Sequence, residues 1–193
     1  ADRRRRLIVT DSVFSMDGDV AILPRLVELA DRFDAMLLID EAHATGVLGS
    51  HGRGLAEHFS VESDRLIRVG TLSKALGCLG GFVTGPEQVI QWLWNKARPQ
   101  IFSTALPPAI AAAACTALEL IQREPQRRER LAALSESLRG RLAEAGFHMP
   151  ATLVPTPIIP VILGDERSTL DAAARLEAAG FLVAAIRPPT VPA

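Results

Sequence analysis

Lysine is scarce in this chain: among 193 residues and 21 basic side chains, only Lys74 and Lys96 are lysines. Cysteine is scarcer still in meaning. Cys78 and Cys115 have neither metal-ligand spacing nor a secreted context, so a reduced cytoplasmic compartment is the default expectation. Charge of one sign is not in excess. A net charge of −1 offers no electrostatic reason to expect nucleic acid or an anionic membrane as partner. No apolar run approaches the roughly 20 residues of a membrane span. The basic cluster at 3–6 is followed by only four residues, 7–10, before Asp11, too few for the apolar region of a signal peptide. There is no phosphate loop of the form G-x-x-x-x-G-K-[ST], no internal repeat and no low-complexity tract. What is present is ordinary globular usage, 48% hydrophobic and 22% charged, in a chain long enough to bury a sizeable core.

The periodicity predicts an α/β protein. Residues 7–10 read as a buried strand, followed by a polar loop at 11–19. Leu23, Leu26, Val27, Ala30 and Phe33 recur at helical spacing, with Pro24 where a first turn tolerates it. Residues 36–39 form the next strand and end on Asp40, and a loop rich in glycine and histidine runs from 43 to 54. A third strand at 66–69 leads through the Lys74 loop to another apolar piece at 81–85, an order that suggests a parallel sheet. Residues 86–96 place Val89, Ile90, Leu93 and Trp94 on one face, predicting a helix packed on that sheet. Helices are expected at 109–122 and 127–145, separated by Pro125, and then a smaller α/β unit: strand 158–163, helix 169–179 capped by Gly180, strand 182–186.

Lys74 follows a strand directly, at the carboxyl end where open α/β sheets bind ligands. One reading makes it a solvated loop lysine. The other notes that Leu72, Ala75, Leu76, Cys78 and Leu79 flank it, which predicts a partly desolvated amine fit to attack a carbonyl. Asp40, at a strand end, is either functional or a cap on the next turn. His43 alone reads as a loop histidine satisfied by its neighbours. Together, Asp40, His43 and Lys74 at successive strand ends would converge on one crevice. Such a set suits pyridoxal phosphate, which asks for a carboxylate at its ring nitrogen, a lysine at its aldehyde and small donors at its phosphate.

Five stretches carry a resemblance: Phe14-Ser15-Met16-Asp17-Gly18-Asp19, Asp40-Glu41-Ala42-His43-Ala44-Thr45-Gly46, Thr71-Leu72-Ser73-Lys74, Ile101-Phe102-Ser103-Thr104, and Ala185 through Pro192. In this order they resemble the α-oxoamine synthases, fold-type I pyridoxal-phosphate enzymes. The last stretch favours the biotin-synthesis branch over the 2-amino-3-ketobutyrate, 5-aminolevulinate and serine palmitoyltransferase branches. The resemblance implies a large, mainly parallel-sheet cofactor domain, of which residues 1–123 would be the back half. Residues 124–193 would be an incomplete small C-terminal α/β domain. It implies that Lys74 binds the cofactor aldehyde and shuttles protons, that Asp40 pairs with the ring nitrogen, and that Ser15 and His43 contact the phenolic oxygen. Thr71 would bind the phosphate, Ser103 and Thr104 would reach the cofactor of a neighbouring subunit in a homodimer, and Arg187 and Thr190 would lie at the substrate pocket. The implied reaction is a decarboxylative condensation of L-alanine with a pimeloyl thioester, on coenzyme A or acyl carrier protein.

A rival reading comes from Ile39-Asp40-Glu41-Ala42-His43, which spells the magnesium box of a DEAH-type nucleic-acid-dependent ATPase. There Asp40 and Glu41 would hold the metal and position water. Both chain ends run straight into element-like segments, so the expectation is an internal portion of a longer protein, inactive and poorly soluble by itself.

Overall fold

The computed structural model of the chain describes residues 4–191. Arg3 of the basic cluster and Pro192 and Ala193 of the closing stretch lie outside the described residues. The centre of the fold is a four-stranded sheet in sequence order: β1 (Leu7–Asp11), β2 (Met36–Asp40), β3 (Leu66–Thr71) and β4 (Gly81–Thr84). β1, β2 and β3 are parallel, joined first by α1 (Leu23–Arg32) and then by the glycine-rich loop with the short α2 (Leu55–His58).

The core follows from the predicted periodicities. Leu37 and Ile39 alternate inward on β2 at 1% and 0% exposure, and Leu23 and Ala30, two turns apart on α1, meet them. Leu55 of α2, Leu66 of β3 and Val154 join the cluster, with Ile8, Leu26 and Val27 packed at its margin. Burial of a leucine or isoleucine of this size contributes about 1.5–3 kcal/mol.

Four expectations are corrected. The apolar piece at 81–85 is not a further parallel strand: β4 runs antiparallel to β3, with Gly70 opposite Phe82. Residues 72–80 are too few for a parallel crossover, which takes about a dozen, so the chain can only turn back as a hairpin. β1 is not buried on both faces, because Ile8 packs into the core while Leu7 and Val9 point away and are exposed. α3 (Glu87–Lys96) forms where predicted, yet none of its residues is buried: Val89, Ile90 and Leu93 are half-buried and Trp94 is exposed. Finally, 158–163 and 182–186 are irregular and not strands, since they enter no ladder among the described residues, and a strand exists only where its amides and carbonyls pair.

The remaining helices are α4 (Arg98–Phe102), which the sequence reading did not anticipate, α5 (Pro108–Arg123), α6 (Gln126–Glu144) and α7 (Glu166–Ala178). Asp165 caps α7 by accepting from Ser168 N at 2.9 Å. The C-terminal portion is tied to the sheet at named points. The buried Thr156 donates to the Gly18 carbonyl at 2.7 Å, and Arg139 of α6 donates to the Thr156 and Ile158 carbonyls. Gly18 has φ +69°, and a Cβ there would collide with the Ile158 carbonyl, so only glycine admits this closure. Arg128 of α6 donates to Ser50 in the glycine-rich loop at 2.7 Å.

Candidate active site

Parallel strands in register deliver their last residues to one edge. Asp11 lies opposite Asp40, and Asp40 lies opposite Val69, two residues before Thr71. The backbone then folds two loops over that edge. Past β2, Glu41 N donates to the Val69 carbonyl at 2.7 Å, and Ala44 N and Thr45 N donate to the Glu41 carbonyl, a turn that carries His43 toward β3. Past β3, Leu72 N bonds Gly80 O, Cys78 N bonds Leu72 O and Gly77 N bonds Lys74 O, closing a hairpin loop with Lys74 on its rim. Gly77 sits at φ +64°, the left-handed conformation this reversal needs.

The two loops meet in one contact: Lys74 Nζ is 2.7 Å from His43 Nε2. Burial, first, and the Lys74 charge, second, hold the His43 imidazole below its ordinary 6.5, against the opposing pull of Asp11 and Asp40. His43 is therefore neutral at pH 7. Because an ammonium only donates, a charged Lys74 requires Nε2 to accept, which leaves the ring proton on Nδ1. Asp40 Oδ1 accepts from Ala42 N at 2.8 Å, while Oδ2 takes no hydrogen bond among the described residues. The Thr71 hydroxyl is 2.7 Å from that of Ser73 and also receives Ser73 N at 3.1 Å.

One expectation about this lysine is corrected. Lys74 is exposed, not desolvated: Leu76 turns inward at 5% exposure, but Ala75 and Leu79 face outward and do not cover the amine. The other sequence-derived residues are more dispersed. Ser15 is half-buried in the turn after β1, on the same edge, without a hydrogen bond to the Lys74–His43 pair. Ser103 and Thr104 are exposed just past α4. Arg187 is paired with Glu166 of α7 at 3.1 Å, and Thr190 N donates to the Arg187 carbonyl, so neither joins the pair among the described residues.

Two nearby residues were given no part in this site by the sequence. Asp11 acts on His43 electrostatically, and its signal was available: it ends the first strand as Asp40 ends the second. Glu41 is 1% exposed and turned inward, its carboxylate accepting Leu55 N and Ala56 N. That orientation argues against the ATPase reading, because both Glu41 oxygens are already engaged and neither faces the edge where a metal and water would sit.

The family description Aminotransferase class I and II matches residues 1–193. The chain belongs to this family. Among curated relatives of this aminotransferase class I and II chain, 8-amino-7-oxononanoate synthase of Anaeromyxobacter dehalogenans (strain 2CP-1) is 52% identical over 189 residues, covering 98% of this chain and 47% of its own length. The enzyme of the same name from Symbiobacterium thermophilum is 48% identical over 98% of this chain and 48% of its own length. The chain thus spans about half the length of the curated relatives it matches. Among solved structures, serine palmitoyltransferase from S. paucimobilis with bound PLP-myriocin aldimine superposes with TM-score 0.93 at 34% identity, over all of this chain and 48% of that one. An 8-amino-7-oxononanoate synthase from Francisella tularensis gives 0.85 at 29%, over 96% and 55%. All of these relatives are α-oxoamine synthases, as the five motifs of this class I and II chain implied.

The donor set of this class I and II chain fits pyridoxal phosphate. An accessible primary amine, a carboxylate with a free oxygen and two clustered hydroxyls stand on one sheet edge, beside a neutral imidazole. These are the groups that an aldehyde, a ring nitrogen, a phosphate and a phenolic oxygen require.

Proposed function

We propose that this chain carries the cofactor lysine of a pyridoxal-phosphate enzyme of biotin synthesis. The enzyme condenses L-alanine with a pimeloyl thioester, on coenzyme A or acyl carrier protein, and releases 8-amino-7-oxononanoate, carbon dioxide and the free thiol. The observation that carries the reading is the 2.7 Å approach of Lys74 Nζ to His43 Nε2 on the edge that also presents Asp40. The share of identical residues, 52% with the oxononanoate enzyme and 34% with serine palmitoyltransferase, supports the choice of branch. The two solved neighbours rank the other way, by backbone at 0.93 against 0.85 and by identity at 34% against 29%. Substrate choice rests on side chains, and backbone likeness is common to the whole fold, so the 48–52% identity to the curated oxononanoate enzymes weighs more than either solved neighbour.

Bound pyridoxal phosphate supplies an amine-capturing aldehyde and an electron-accepting ring. Lys74 Nζ is the amine that binds the aldehyde and, when free, the base that takes and returns the substrate proton. Asp40 Oδ2 holds the proton on the ring nitrogen, its partner oxygen being anchored by Ala42 N. Neutral His43 orients Lys74 and, with Ser15, contacts the phenolic oxygen. Thr71 and Ser73 bind the phosphate. Arg187, released from Glu166, and Thr190 bind substrate. Ser103 and Thr104 serve the partner's cofactor in a homodimer, in keeping with their exposure. Residues 1–123 belong to the large domain and 124–193 to the small one. No described helix is long and apolar enough to cross a membrane, and a cytoplasmic location suits the two unpaired cysteines.

The test uses the full-length protein loaded with cofactor. Borohydride reduction and peptide mapping should fix the pyridoxyl group on Lys74, and turnover should be highest with L-alanine and pimeloyl thioester in a panel of amino acids and acyl thioesters. A label on Lys96 would overturn the site, and preference for L-serine with a long-chain acyl thioester would move the reading to the serine palmitoyltransferase branch.

A further inference from the structure

We propose that Glu41 is the positioning residue that sets His43 against Lys74. Glu41 stands between Asp40 and His43 in sequence but faces the opposite way, into the core, at 1% exposure. Its backbone and side chain tie three parts of the fold together. Its N–H donates to Val69 of β3 at 2.7 Å, fixing the loop after β2 to the strand that leads to Lys74. Its carbonyl accepts Ala44 N at 3.0 Å and Thr45 N at 2.8 Å, closing the turn that has His43 inside it. Its carboxylate accepts Leu55 N at 3.0 Å on Oε2 and Ala56 N at 3.1 Å on Oε1, pinning the turn to the far end of the glycine-rich loop.

A buried carboxylate is costly unless hydrogen-bonded, and a carboxylate with both oxygens bonded to backbone N–H is held in one rotamer. Every group of Glu41 is thus committed to the scaffold. Gly54 shows how closely the carboxylate is seated: it has φ +101°, and a Cβ there would lie 2.6 Å from Oε2. Removing the Glu41 carboxylate frees the His43 turn from the glycine-rich loop and leaves it held to β3 by backbone alone, and imidazole placement within a fraction of an ångström is what such a site needs. The assignment rests on the reading of Lys74 and His43 as one site, and not on which substrates that site takes.

The same loop contains a control. Glu57 accepts His51 N at 3.1 Å and Arg53 N at 3.0 Å, supporting the loop without touching the His43 turn. In cofactor-free full-length protein, the rate at which diethyl pyrocarbonate modifies His43 is followed by mass mapping through a pH series. The groups acting on that titration are Lys74, Asp11 and Asp40. Wild-type protein should show a His43 midpoint below 6.5. Glu41→Ala and Glu41→Gln should raise it toward 6.5, and in loaded enzyme both should lower kcat by about tenfold to a hundredfold with little change in KM for the amino acid. Glu57→Ala should leave the midpoint where it was. An unchanged midpoint in Glu41→Gln, or an equal shift in Glu57→Ala, would overturn the proposal, and Glu41→Gln decides alone if Glu41→Ala does not fold. Failure of borohydride to label Lys74 in wild type would instead sink the site reading and leave the comparison of midpoints standing.

Discussion

Leu37 and Ile39 of β2 are 1% and 0% exposed, whereas Trp92 and Trp94 of α3 are 61% and 68% exposed, although both elements form where their apolar spacing predicts. The contrast extends over the two regions they represent. From β1 to β4, α1, the glycine-rich loop and α2 bring Leu23, Ala30, Leu48 and Leu55 into one buried cluster with Leu37 and Ile39, which Val154 of the C-terminal portion joins. From α3 onward, Ala114, Ser135, Val154 and Thr156 are buried, while Phe102, Leu134, Phe181 and Leu182 are exposed. Periodicity makes an element; burial takes a second surface, and the first region supplies most of its own. The candidate site lies at the carboxyl edge of that region, where two loops meet at hydrogen-bonding distance.

The largest expected effect lies in the first region. Lys74→Ala should abolish the borohydride-fixed pyridoxyl label and lower turnover by about 10⁴-fold, measured in loaded full-length enzyme. A variant that still held a label elsewhere and turned over would detach the chemistry from this edge. Next, the contrast in burial should appear directly in stability. Leu37→Ala should cost about 2–5 kcal/mol, and Trp94→Ala in residues 1–193 within about 0.5 kcal/mol, read as shifts of the urea midpoint. Equal costs would show that α3 has a covering surface after all.

Residues 1–193 alone should associate as concentration rises, driven by the exposed side chains of the second region. Light scattering that stays monodisperse would break the comparison. A smaller effect concerns pH. His43 has a folded pKa below its unfolded value of 6.5, so below 6.5 the unfolded chain binds the proton more readily and stability falls as pH drops. His43→Asn should flatten that part of the stability profile. Smallest of all, Asp165→Ala should fray only the first turn of α7, detectable as faster amide exchange at Ser168, since this cap is fully exposed.

Much of the site was legible because its residues are placed by rules that act locally. A strand that ends on a carboxylate, followed by a short turn with histidine, and a strand that breaks into small residues before a lone lysine, both announce the carboxyl edge of a sheet. Asp40, His43 and Lys74 followed from that logic. Asp11 obeys it too and was passed over, since its role depends on lying beside Asp40 across a ladder. Glu41 was legible only as a letter in a motif, and the sequence does not say which way a side chain next to Asp40 turns.

Where the sequence misled, it did so about partners. The strand character of 81–85 was right and its direction wrong, because direction depends on whether residues 72–80 can span a crossover. The segments at 158–163 and 182–186 have the composition of strands and no ladder to join. The sequence by itself determined the four strands of the sheet and the longer helices, the order of the motifs and the residue types at the strand ends, since propensity, periodicity and turn chemistry act within a few residues. Tertiary structure alone decided that Lys74 is exposed, that Glu41 points inward and that His43 stands 2.7 Å from Lys74. Those outcomes depend on groups dozens of positions apart in the chain, brought together by strand pairing and core packing.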